Sequence, residues 1–313
     1  MTQSIAESGG MVVPLNSWRE KLATATPFIV LLPSLIATLI YVFLFTAWTI
    51  YISLSKSAMF PSAELQGTKA YSDLWANVRW NIAYHNLFFY SIFYVIGAMA
   101  IGLTLAILID QRVRAESMWR TIFLYPLAVS FVVTGTVWGW LYSPDNGIQM
   151  LVRNLGWSNF NFALTTSKDT AIYAIIITGI WQSSGFAMAL FLAGLRAVDP
   201  DIIKAAQIDG AGPFRTYTRV ILPSIAPIFI AVMVVLLQFA IKTFDLVVAL
   251  TSGGPGLATT FPALYVYDTM FQRGQIAQGA AAAMMILAAL AFVLVPYSIW
   301  LVWRRRRESR NNV

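Results

Sequence analysis

The sequence contains no cysteine and a single histidine, His85. The first absence removes disulfides, thiolate nucleophiles and zinc–cysteine centres, and the second removes any metal site built from several imidazoles. Charge is also scarce. Charged residues are 11% of the 313, against 58% hydrophobic residues, whereas soluble chains carry roughly 25% charged residues. A chain so poor in charge cannot cover its apolar surface in water, and an all-α integral membrane protein is expected. The net charge is +7, but no soluble domain is visible on which a basic face could form, so no nucleic-acid partner is expected. There is no Gly-x-x-x-x-Gly-Lys-Ser/Thr loop, so the chain is not expected to hydrolyse nucleotide itself. No catalytic residue and no metal ligand is assigned.

Long apolar runs are abundant. Crossing a hydrocarbon core of ~30 Å at ~1.5 Å per residue takes about 20 residues. Six runs qualify: 28–54, 86–109, 122–141, 171–195, 225–250 and 276–303, the third interrupted by Pro126. The first is too long for the core of a secretory leader and is expected to be a retained span. Residues 28–303 are thus expected to form a membrane domain between a tail at 1–27 and a basic tail at 304–313. Lys and Arg in the flanks set direction. With the N-terminus in the cytoplasm, 14 of the 21 basic residues fall on the cytoplasmic side, six fall outside, and Lys242 lies within a span. Both termini are therefore expected in the cytoplasm, and both tails are read as cytoplasmic.

The longest polar interruption late in the chain is 196–224, between the fourth and fifth runs. Asp199-Pro200 has the form of a helix start, an Asx N-cap followed by Pro at the first helical position. Ile202, Ile203 and Ala206 give the helix an apolar face, with Lys204 and Gln207 turned elsewhere. Gly210 and Gly212 permit the backbone angles that end a helix and turn it. Pro213 can open a second helix, on which Phe214, Tyr217 and Ile221 share one side, and Pro223 marks the start of the fifth run. Ala205, Ala206, Gly210 and Ala211 make a low surface that another chain can approach closely. The segment reads either as a docking element through which a partner moves the spans or as an interfacial helix pair lying on the bilayer.

Polar groups inside spans are candidates for a solute path, because burying them in lipid is costly. Trp181, Gln182, Ser183 and Ser184 sit midway along the fourth run. An aromatic face beside an amide suits a sugar, while a Gln hydrogen-bonding between helices explains the same residues. Gln238 and Lys242 share a face of the fifth run, and Lys242 with Asp245 reads as a local ion pair near its outer end.

These segments resemble the permease subunits of binding-protein-dependent ABC importers, in particular the sugar-importing branch. The resemblance rests on Ala205-Ala206-x-x-Asp209-Gly210-Ala211 followed by Ile221-x-Pro223. Trp181-x-x-x-Gly185-Phe186, Phe244-Asp245 and Leu250-Thr251-x-Gly253-Gly254-Pro255 extend it, and it covers roughly residues 86–300. It implies the type I importer permease fold of about six membrane helices, in the cell (inner) membrane. It also implies a coupling helix, carried by Lys204, Ala205, Ala206, Asp209, Gly210, Ala211 and Pro223, that rests on a dimer of ATP-binding subunits. ATP and Mg2+ would be held there, with no cofactor on this chain. A second, homologous permease and an extracytoplasmic solute-binding protein complete the implied assembly, with Gly253, Gly254 and Pro255 as contacts for the binding protein. The candidate solute path is Trp181, Gln182, Ser183 and Gln238. The implied cargo is a sugar, taken as a monosaccharide such as glucose or mannose or a short glucoside. Glycerol phosphate or another polyol is the alternative cargo, and a self-sufficient secondary transporter or channel the alternative class. At position 204 the family often has Glu, where this chain has Lys.

Overall fold

The computed structural model describes residues 30–111 and 113–311. The expected tail at 1–27 and the first two residues of the first expected span lie outside the described residues. So does the guanidinium-bearing Arg112. Among the described residues the structure is helical, with one isolated bridge between Ser55 and Leu65.

The chain divides into two units, at Tyr51/Ile52. The first is the helix α1, Val30–Leu54, up to that point. Leu31, Ile36, Tyr41, Phe43 and Trp48 are all exposed on it. A helix apolar all round has no polar face to turn to water, which is the pattern of a membrane span. Its regular turns are widened by a π-helical turn at Ile40–Leu44.

The second unit holds the remaining helices. In order they are α2 (Lys69–Ala76), α3 (Val78–Asp110), α4 (Glu116–Ala128), α5 (Phe131–Leu141), α6 (Ile148–Asn154) and α7 (Ala171–Arg196). Then come α8 (Pro200–Ile208), α9 (Pro213–Ser224, with a π-helical turn over Tyr217–Ile221), α10 (Ala226–Ile241), α11 (Asp245–Leu250), α12 (Pro262–Tyr267) and α13 (Ile276–Asn311). Among the described residues four helices are long and apolar enough to cross a membrane, α1, α3, α7 and α13. The count rises to six if the bent pairs α4–α5 and α9–α10 each make one span.

The centre of the unit is α7, packed along α3. Its inward face is built from small residues, which lets backbones approach where apolar burial alone gives no drive between helices in lipid. Gly185 is the tightest case: a Cβ there would stand 1.8 Å from the carbonyl oxygen of Phe123 in α4. Hydroxyls and amides fasten the same face. Tyr94 donates to Ser183 Oγ (2.7 Å), and Tyr142 reaches the Ala174 carbonyl (3.3 Å). Tyr90 and Tyr94 stack one turn apart, with ring centroids 5.0 Å from each other. At the end of the unit opposite Asp110 a smaller core forms from Leu74, Trp80, Tyr265 and the alanines of α13. A partly buried ion pair between Arg79 and Asp268 pins it.

Two expectations from the sequence need correction. The run 122–141 is not one helix interrupted at Pro126: the helix continues to Ala128, and α5 departs at 97°. Pro126 stands in the last turn, where it removes one i to i−4 hydrogen bond and only two helical residues follow it, and Ser130 caps α5 by accepting from Val133 N. The run 225–250 is also divided, because α10 ends at Ile241 and α11 begins at Asp245. Lys242 and Asp245 therefore stand on either side of a break and form no ion pair with each other among the described residues. Instead Asp245 occupies the first turn of α11, where a carboxylate is favoured by the helix dipole. The last helix, α13, continues without interruption from the apolar run into the basic stretch, as one helix of 36 residues, as expected for residues of good helix propensity.

Candidate functional site

The polar segment after α7 folds as the sequence predicts, in two short helices about a glycine bend. Asp199 caps α8, its carboxylate accepting from Asp201 N at 2.9 Å. At the other end Gly210 takes φ +77°, and Ala211 N donates back to the Ala206 carbonyl at 3.0 Å. That left-handed position strains any residue with a Cβ, and the back-donation satisfies a carbonyl that the helix end would otherwise orphan. Gly212 caps α9 with Pro213 at its first position. A 66° bend at Ile225 then turns the chain into α10.

The two helices differ in what holds them. In α9, Thr216 and Ile221 are buried, and Tyr217 donates to Asp110 Oδ2 of α3 at 3.1 Å. In α8, Ile203 packs against the core while Ala205, Asp209 and Gly210 are exposed and Ala206 is half-buried. The expected shared face of Phe214, Tyr217 and Ile221 is not formed. Phe214 is 83% exposed, because the first turn of α9, from Gly212 to Arg215, stands clear of the packed body. Ile208, at the end of α8, is 86% exposed. These two residues flank the glycine bend; sequence reasoning passed over Ile208 and placed Phe214 on one side with Tyr217 and Ile221. Their signal was available as two large apolar residues in the least apolar stretch of the chain. Lys204 pairs with Asp201 at 2.9 Å, with both side chains largely exposed, a contact worth only a few tenths of a kcal/mol. Pro223 is exposed near the end of α9.

The candidate solute-path residues separate. Gln182 and Ser183 are buried and bonded within the helices. Gln182 Nε2 donates to the Val129 carbonyl at 2.8 Å. That carbonyl is freed by the α4–α5 break, and a broken helix in a membrane needs such a partner. Trp181 turns the other way and is 42% exposed. With Trp138, which meets it edge to face at 5.6 Å, it lines a cavity of about 720 Å3 beside Tyr125, Pro126 and Ser184. No charged residue lines that cavity. Gln238 is half-buried on α10.

The turn 251–260 is tucked against the unit. Gly253 is buried, Thr259 Oγ1 donates to the Gly254 carbonyl at 2.6 Å, and Asn86 Nδ2 lies 3.0 Å from the carbonyls of both Ala258 and Thr260. Gly254 and Pro255 are half-buried, and the exposed tip is one step further on, at Gly256 and Leu257. The tip borders a hollow of about 710 Å3 shared with His85, Phe89, Lys168 and Asp169.

Broken apolar helices around a glycine-faced central helix, with a two-helix loop at one end, define the class as a polytopic helical membrane protein. The same arrangement recurs in the crystal structure of a bacterial ABC transporter involved in import of the polysaccharide alginate. The likeness has a TM-score of 0.76 at 20% identity, over 93% of this chain and 99% of that one. Residues 98–308 match the family described as the binding-protein-dependent transport system inner membrane component, and the chain belongs to that family. A probable ABC transporter permease of Pyrococcus horikoshii is 37% identical, over 88% of this chain and 95% of its own length. The trehalose/maltose transport system permease protein MalF of Thermococcus litoralis is 30% identical, over 86% and 89%. The sn-glycerol-3-phosphate transport system permease protein UgpA of Pectobacterium atrosepticum is 26% identical, over 83% and 88%.

Proposed function

We propose that this chain is the membrane-spanning permease subunit of an ATP-driven importer of a sugar, and that ATP is hydrolysed in a separate subunit on which the loop of α8 and α9 docks. The observation that carries the reading is the loop itself. Its outer surface combines small residues, Ala205, Gly210 and Gly212, with two exposed apolar side chains, Ile208 and Phe214. Exposed apolar groups on a segment otherwise rich in charge and glycine are what a protein partner would cover. In this reading ATP and Mg2+ bind to that partner, both termini are cytoplasmic, and a second permease closes the path. A solute-binding protein delivers cargo at the opposite end, where Gly253, Gly254, Pro255 and the more exposed Gly256 and Leu257 would meet it.

The cargo is read from the cavity beside Trp181. Two indoles and a phenol with no charge favour a neutral, ring-shaped solute over an anionic one. A glucose-like monosaccharide or short glucoside fits that chemistry, and glycerol phosphate, named for a relative, lacks a cation there to meet it. Reconstitution in vesicles with candidate ATP-binding, permease and binding-protein partners tests the proposal. ATPase activity should rise with one neutral sugar out of a panel that includes glycerol phosphate. Uptake by this chain alone, driven by an ion gradient and needing no ATPase, would overturn it.

A further inference from the structure

Three helix ends and the second half of the loop meet in one charged cluster. Arg196, the last residue of α7, places Nη2 2.9 Å from Glu116 Oε1 at the start of α4 and Nε 3.6 Å from Asp110 Oδ1 at the end of α3. Arg120 reaches the same Glu116 oxygen at 2.6 Å from one turn along α4. Asp110 Oδ2 accepts from Tyr217 in α9 at 3.1 Å. One chain of polar contacts therefore runs from the loop through Asp110 and Arg196 to Glu116, a hydrogen bond at its first link and ion pairs at the others. These groups lie outside the cavity that holds Trp181.

What lies beyond Glu116 gives the cluster its meaning. The helix α4 is fastened to α7 at three heights: Glu116 to Arg196, Phe123 against Gly185, and Val129, just past its end, to Gln182. These two helices also supply Tyr125, Pro126, Trp181 and Ser184 to the cavity wall. Elsewhere α9 meets the unit through buried Ile221, with Tyr217 and Leu222 packed against the same core, apolar contacts that fix depth but not direction. The Tyr217–Asp110 hydrogen bond is directional, and the Arg196 guanidinium, ion-paired with Glu116 at 2.9 Å and more loosely with Asp110 at 3.6 Å, ties the facing ends of α3 and α4 together electrostatically.

We propose that Arg196 is a positioning residue for transport: it joins the loop to the α4–α7 pair, so that a displacement of α9 is delivered to the cavity wall. The inference rests on the reading of the loop as a docking element. Its four side chains are 25–41% exposed where measured at Asp110, Glu116, Arg120 and Arg196, so the bonds contribute little to stability and their loss leaves the fold intact.

The test uses the assembled transporter in vesicles and reads solute taken up per ATP hydrolysed, alongside thermal stability in detergent. Arg196→Gln should lower uptake per ATP about three- to tenfold, with the ATPase rate and stability held. Tyr217→Phe should do the same more weakly, and the double variant should be no worse than Arg196→Gln alone, because both act through Asp110. Arg196→Lys should restore part of the ratio. The joint is refuted if Arg196→Gln transports at the wild-type ratio, if the two effects simply add, or if uptake falls only in step with stability. Ala206→Trp, run in parallel, separates the two readings. Normal uptake with that variant sinks the docking role, whatever Arg196→Gln does.

Discussion

The helix α7 and the loop that follows it are built on opposite plans. In α7 the polar side chains Gln182 and Ser183 lie inside, and a large aromatic, Trp181, faces outward into a cavity. In the loop the charged residues and small residues lie outside, as expected, but so do Ile208 and Phe214. The difference separates two kinds of polarity in a membrane chain. A buried amide answers to a backbone group that the fold has left open, here the Val129 carbonyl. An exposed apolar side chain in a polar segment is covered by no other described residue, and under the proposed function a partner would cover it.

Substitutions can break or sharpen that contrast. The largest effect is expected from Gly185→Leu, since even a Cβ would meet the Phe123 carbonyl at 1.8 Å. Overpacking against a backbone costs about 3 kcal/mol or more, and the variant should yield little monodisperse protein on size exclusion after solubilisation. Gln182→Ala should be milder. Leaving the Val129 carbonyl unpaired costs roughly 1–2 kcal/mol, read as a lowered melting temperature. Uptake that is unchanged after correction for protein amount would assign Gln182 to the fold and leave Trp181 to the solute. The smallest effect on stability is expected from Phe214→Ser, within about 0.5 kcal/mol for so exposed a site. Its ATP-dependent uptake should nonetheless be lost, and an active Phe214→Ser transporter would remove that side chain from the partner contact.

Much of this was legible in the sequence, for identifiable reasons. Apolar run lengths located α1, α3, α7 and α13 because a membrane demands a fixed length of apolar helix. Asp199, Pro200, Gly210 and Pro213 located the loop helices because caps and turns are local chemistry. The break at 129–130 was signalled by Pro126 but misplaced by three residues, and the one at 242–244 was read as a continuous span with a local ion pair, since a break in a membrane helix is tolerated only where a distant group satisfies the backbone. For the first break that group is Gln182, 53 residues further along the chain. Ile208 and Phe214 were missed for a related reason. Helical periodicity assigns apolar residues to the inner face and carries no information about faces a second chain will supply.

The unbroken run of α13 has a practical consequence. At ~1.5 Å per residue its 36 residues extend roughly 54 Å, against a hydrocarbon core of ~30 Å. If one end is level with the bilayer surface, more than 20 Å of the same rod projects past the other. A probe fixed near Asn311 is then attached to a lever, and its displacement in a spectroscopic distance measurement reports the tilt of the whole helix, amplified by the length of the overhang.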